Sequence, residues 1–196
     1  MHIIWENLTA MLLLLGITAT LLVINANNQQ TLAESTAYYL LRNDGIAFMD
    51  LIKRDLKGAT EVNSYSAASG TFRFETFIGN ETTASTVEYK RKSADQVDYI
   101  HEEGDSTWVE TVQLYQIERY VNGSLWGGSP SSVADFEMKA LNEQNDTLQG
   151  GDDLGNCRKI FVYFEMASPH VDIKAVDRMR WETTYVPPSL SETAIL

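Results

Sequence analysis

The chain has 196 residues, a net charge of −12 and a sequence pI near 4.6. Such an acidic balance argues against nucleic acid, whose phosphates need a basic surface, and against docking of the soluble part on anionic lipid. A single cysteine, Cys157, excludes an intrachain disulfide and a cysteine-rich metal site.

The chain opens with MHIIWEN, which holds one acid, Glu6, beside Trp5. An uncharged apolar run follows from Leu8 to Ile24, interrupted only by Thr9, Thr18 and Thr20, whose hydroxyls can return to helix carbonyls. At 1.5 Å per residue the run covers about 26 Å, close to the bilayer core of about 30 Å. No Lys or Arg precedes it and no convincing A-x-A cleavage site follows, so it is expected to be an anchor and not a removed signal. Trp5 suits an interfacial position. Glu6 has two readings. It is a carboxylate favoured at a helix N-terminus, or it enters an apolar assembly and is neutralised by a neighbour's terminal amine.

Nothing breaks the helical pattern after Ile24. The polar strip Asn25 to Gln30 leads into residues 31–58, and the first proline is Pro130. The expectation is one helix of roughly 50 to 55 residues, about 80 Å long. Residues 1–30 form the apolar transmembrane or assembly part and 31–196 a globular domain. Within 31–58, Tyr38, Leu41, Phe48, Leu51, Ile52 and Leu56 fall on one face. Arg42, Asp50, Lys53, Arg54 and Lys57 fall on the other, with Asp50 expected to pair with Lys53 and Arg54. Asn43, Asp44 and Gly45 weaken the helix locally, and Gly58 reads as its C-cap.

Short β patterns recur from Thr71, giving a sheet expected over 71–186. Residues 71–78, 86–91, 96–101, 111–121 and 133–141 read as strands, and 102–105 as a turn. Asn122-Gly123 is a strong hairpin dipeptide, with 127–132 a loop. The nearly continuous apolar run Lys159 to Met166 reads as a central strand. The fold class is α+β: a long N-terminal helix, apolar in its first half and amphipathic in its second, packed on an antiparallel sheet.

A lone glutamate near the start of an apolar helix that runs unbroken into an amphipathic half resembles type IV pilins and the pseudopilins of type II secretion systems. Residues 50–59 (DLIKRDLKGA) are similar to the helix end of the larger minor pilins and minor pseudopilins. In that family the precursor carries a basic leader and the glutamate stands fifth in the mature chain. Here it stands sixth from Met1, so the expectation is an already processed chain or a leaderless relative.

The resemblance implies a structural subunit of a cell-surface filament or secretion pseudopilus. Its partners would be copies of itself or related subunits, the inner-membrane assembly machinery, and the bilayer before assembly. Its location would be the bacterial inner membrane, then an extracellular filament or a periplasmic pseudopilus. Physics supports the same route, because burying this 17-residue run, at about 1 kcal/mol or more for each apolar side chain, is a large driving term. Trp5, Glu6, Leu12, Leu15 and Leu22 are the residues expected to carry assembly, with Glu6 setting the axial register. The alternative is a membrane-anchored extracytoplasmic β-domain that binds a partner or ligand without polymerising.

Enzymatic activity is not expected. His2, His101 and His170 are the histidines, and no HExxH, GxSxG, P-loop or GxGxxG motif occurs in the right context. No cofactor is called for. The Gly-rich loop 142–156 offers one candidate cation site, at Asp146, Asp152 and Asp153, where calcium is the ion its oxygen ligands would take. An ordinary solvated loop is the other reading.

Overall fold

The computed structural model describes residues 2–66, 69–79, 81–103, 106–149, 152–168 and 178–191, without the side chains of 2–4, 6, 102, 103, 152, 153 and 191. Helix α1 spans His2–Lys57, 56 residues without interruption, or about 84 Å. Threonine hydroxyls inside the apolar run donate back to carbonyls four residues earlier: Thr9 to Trp5, Thr18 to Leu14 and Thr20 to Gly16, at 2.8 to 2.9 Å. The run therefore carries its polar groups with no unmet need for water.

Among the described residues eight antiparallel strands follow: β1 Ala59–Ser66, β2 Thr71–Thr76, β3 Ser85–Glu103, β4 Ser106–Val121, β5 Ser124–Gly128, β6 Val133–Leu141, β7 Lys159–Met166 and β8 Met179–Tyr185. The sheet order is β1-β2-β3-β4-β6-β7-β8, with β5 hairpinned onto β4. The protein is α+β, as its periodicities require. A short helix α2 (Pro188–Ser191) closes the described chain.

Only the last third of α1 packs on the sheet. Leu41, Gly45, Phe48, Met49, Ile52 and Leu56 are buried. Phe48 lies among Tyr89, Phe136 and Phe164, with ring centroids 5.2 to 6.3 Å apart. Phe72, Phe74, Val87, Ile117, Ile160 and Val162 belong to the same core, to which β1, β2, β3, β4, β6 and β7 all contribute.

Several sequence expectations need correction. The sheet begins at Ala59, not near 71, because the chain turns back directly after α1 and β1 pairs with β2. Gly58 is not a left-handed cap. A Cβ there would lie 2.6 Å from the Phe77 carbonyl oxygen, so the glycine allows a close backbone approach, sealed by the Phe77 N–H to Gly58 carbonyl bond at 3.1 Å. Gly45 does not interrupt the helix. It is a notch: a Cβ there would stand 2.2 Å from the Trp181 ring, which stacks on Phe164 at 5.0 Å. The stretches 86–91 and 96–101 belong to one 19-residue strand joined through an irregularity between Ser93 and Asp95. Residues 102 and 103 extend that strand. The Asn122-Gly123 turn forms as expected, with Asn122 at φ 49 and Gly123 at φ 79, but part of the following loop is strand β5. Strand β7 is interior, flanked by β6 and β8.

Candidate functional site

The residues singled out for assembly lie on the free part of α1. Between Asn7 and Ala33 the helix carries no charged side chain. Its candidate span has none of its most apolar window buried against the rest of the chain. Trp5, Leu12, Leu15 and Leu22 are each 64 to 72% exposed. Glu6 is helical, and its carboxylate lies outside the described side chains. The structure thus presents an uncharged apolar rod that packs on none of the described residues of the domain, long and apolar enough to be a membrane anchor or a signal sequence.

What fixes the rod to the domain is a buried polar cluster that the sequence reading missed. Asp55 lies on the sheet side of α1, 3% exposed. Its Oδ2 accepts hydrogen bonds from Arg119 Nε and Tyr89 Oη, both at 2.6 Å, and its Oδ1 accepts one from Arg119 Nη2 at 2.9 Å. The Asp55 carbonyl accepts from the Thr76 hydroxyl at 2.6 Å. Strands β2, β3 and β4 are thereby tied to a single helix turn. Burial, then the Asp55 charge and hydrogen bond, push the Tyr89 hydroxyl well above its usual pKa. Burial works against the Arg119 charge, but the hydrogen bond and charge of Asp55 outweigh it and raise its pKa. The pattern gives little warning of this. Asp55 looks like one more polar helix residue, and the pairs expected at Asp50 are absent from the ion pairs of the described residues.

A second network braces the sheet where β3 and β4 run past the other strands. Arg178 binds Glu110 and, at 3.2 Å, Glu165, while Arg180 Nε donates to Glu165 at 2.7 Å. His101 Nε2 lies 3.0 Å from Glu110, and its ring stacks on Trp108 with centroids 5.2 Å apart. Burial pushes the Glu110 carboxyl up, but hydrogen bonds from His101 and Arg178 outweigh it and hold it below the usual range. Tyr99 Oη donates to the Ser168 carbonyl at 2.6 Å. These are bracing contacts with complementary charges, not a nucleophile with its base.

The candidate calcium loop is tied by its own side chains. The Asp146 N–H donates to Asn142 Oδ1 at 2.8 Å, and Asn142 Nδ2 donates to Asp146 Oδ2 at 3.1 Å. The Lys159 ammonium donates to the Glu143 carbonyl at 2.9 Å and to Asn145 Oδ1 at 2.7 Å. A tethered cation thus uses two of the oxygens this loop offers. Asp152 and Asp153 lie in a 3-10 turn, and their carboxylates lie outside the described side chains. Among the described residues no group of three His, Cys, Asp or Glu is placed to hold a metal. His170 lies outside the described residues. Cys157 is buried and donates to the Lys159 carbonyl at 3.3 Å, and burial raises its thiol pKa.

A cleft of about 270 Å³ opens where α1 leaves the sheet, lined by Ala37, Leu40, Asp44, Asp95, Leu114 and Ser132 among others.

The molecule therefore belongs to a structural class: a long-helix α+β protein with an exposed, membrane-competent N-terminal arm. No protein-family model, curated protein or solved structure matches the chain.

Proposed function

We propose that the chain is a pilin-like or pseudopilin-like structural subunit that assembles through its apolar N-terminal helix into a cell-surface filament or a secretion pseudopilus. The observation that carries the reading is the division of one unbroken helix. Its last third is locked into a sheet by Asp55, Phe48 and Gly45, while residues 7–33 carry no charged side chain and their most apolar window has no share buried against the described residues of the domain. Such a helix is stable in a bilayer or bundled with others like it, and a rigid link to its domain turns helix bundling into ordered display of domains. The subunit waits in the bacterial inner membrane, is delivered by assembly machinery there, and joins copies or relatives in an extracellular or periplasmic fibre. Its role is architectural, with no catalytic step.

The test is to replace residues 25–36 by a flexible Gly/Ser linker of equal length. Loss of filaments, with the variant still folded and membrane-bound, is expected. Undiminished function of the linker variant would favour a second reading, an anchored extracytoplasmic domain that binds a ligand without polymerising. That reading is supported by the cleft beside Leu40 and Asp95.

A further inference from the structure

Strands β3 and β4 continue together well past their neighbours. Strand β2 pairs with β3 only over Ser85–Lys90, and β6 meets β4 at Tyr115 alone. From the irregularity at Ser93 and Asp95 the two strands pair on as a two-stranded arm to Glu103 and Ser106. Side chains alternate across such a ribbon. One face carries Val97, Tyr99, Val112 and Leu114, and it is occupied by Ala167, Ser168 and Arg178. The other carries the cross-strand pairs Asp98–Thr111 and Ile100–Val109, and all four residues are exposed, Ile100 at 62% and Val109 at 58%. Residues 94–113 hold six acids and no Lys or Arg.

The complement lies elsewhere on the same chain. On a flank of its buried face, α1 carries Tyr39 and Ile46, seven residues apart and both exposed. They are bordered by the exposed cations Arg42, Lys53, Arg54 and Lys57, against Asp44 and Asp50. Among the described residues none of these cations is in an ion pair. On a chain of net charge −12 this is a local basic surface around one aromatic and one aliphatic side chain.

We propose that the β3–β4 arm of one copy docks on the outward face of α1 in a second copy, Ile100 and Val109 against Tyr39 and Ile46, with Asp98 among Lys53 and Arg54. The partner follows from charge: an acidic ribbon finds its attraction on the basic helix face and is repelled by the acidic remainder of the molecule. The contact joins two different surfaces, so it is heterologous and open, the kind that propagates as a fibre. The inference rests on the assembly reading and assigns a second contact to it, apart from the apolar arm.

The test is disulfide trapping between two co-expressed, differently tagged full-length chains in native membranes, one carrying Val109→Cys and the other Ile46→Cys. Buried Cys157 stays in place, and the otherwise unaltered chain controls for it. The expected result is a mixed dimer about tenfold above the pair Val109→Cys with Glu61→Cys, a control on exposed β1. Lys53→Glu with Arg54→Glu on the helix chain should lower trapping about tenfold through like-charge contact, and Asp98→Lys on the arm chain should restore it. Equal trapping in both pairs, or no rescue by Asp98→Lys, overturns the contact. Filaments that form without the trapped dimer overturn this contact alone. A trapped dimer that stays monodisperse and never polymerises leaves the contact and removes the filament.

Discussion

Asp55 on α1 and Arg119 on β4 form a buried two-bond ion pair, at 2.6 and 2.9 Å, on the face by which the helix meets its domain. Their side chains are 2% and 6% exposed, so water cannot replace either partner. Truncating one member, as in Asp55→Leu or Arg119→Met, leaves an unpaired buried charge or its donors. Each single variant is expected to lose about 3–5 kcal/mol of stability, and the double variant markedly less than the sum. Denaturant unfolding of the detergent-solubilised chain, followed by tryptophan fluorescence, measures it. Additive losses would show that the two residues do not act as a pair.

Tyr89 gives the same cluster a pH signature. Its pKa is raised in the folded protein, so its contribution is complete below the usual tyrosine value of 10.0 and is lost as pH rises from there through the raised value. Stability of the unaltered chain should fall in that alkaline window. Tyr89→Phe should flatten the fall while costing about 1–3 kcal/mol at neutral pH through the bond lost to Asp55. A pH series of unfolding midpoints compares the two.

Gly45 reverses a general rule. In an exposed helix Gly→Ala stabilises by about 1 kcal/mol. Here the new methyl would meet Trp181 at 2.2 Å, so Gly45→Ala should destabilise by about 1–3 kcal/mol. In combination with Trp181→Phe the added cost should shrink. A stabilised single variant would show that α1 does not sit this close to β8.

Much of this fold is legible in the sequence, and the failures share one cause. The helix, its buried face at Leu41, Phe48, Ile52 and Leu56, the Asn122-Gly123 turn and strand β7 each announce themselves by local period or turn chemistry. Strand β1 alternates too weakly to stand out, and the polar break at Ser93 to Asp95 divides β3 by eye although its ladder continues. Asp55 and Gly45 are defined by partners 64 and 136 positions away in the chain, and no local pattern encodes those distances. Of the candidate site, the exposed apolar run that holds Leu12, Leu15 and Leu22 is legible because an uncharged apolar run is a local signal. The tie between Lys159 and the loop at Asn145 was not, for the same reason as Asp55.

Cys157 should resist modification. It is 1% exposed with its thiol pKa raised by burial, so little thiolate is available and little of it is reachable. Alkylation of the native chain by iodoacetamide is expected to be slow and to become fast on unfolding. Rapid labelling of the folded chain would mean that the loop before β7 opens readily.

The most direct measurement is electron microscopy of surface-sheared and membrane fractions from cells making the chain, with mass spectrometry of its N-terminus, beside a Glu6→Leu variant. Filaments or pseudopilus fibres that contain the chain are expected, and they are expected to be lost in the variant while its domain stays folded in the membrane. A chain found only in membranes, monodisperse in detergent and without fibres of either kind, would contradict it.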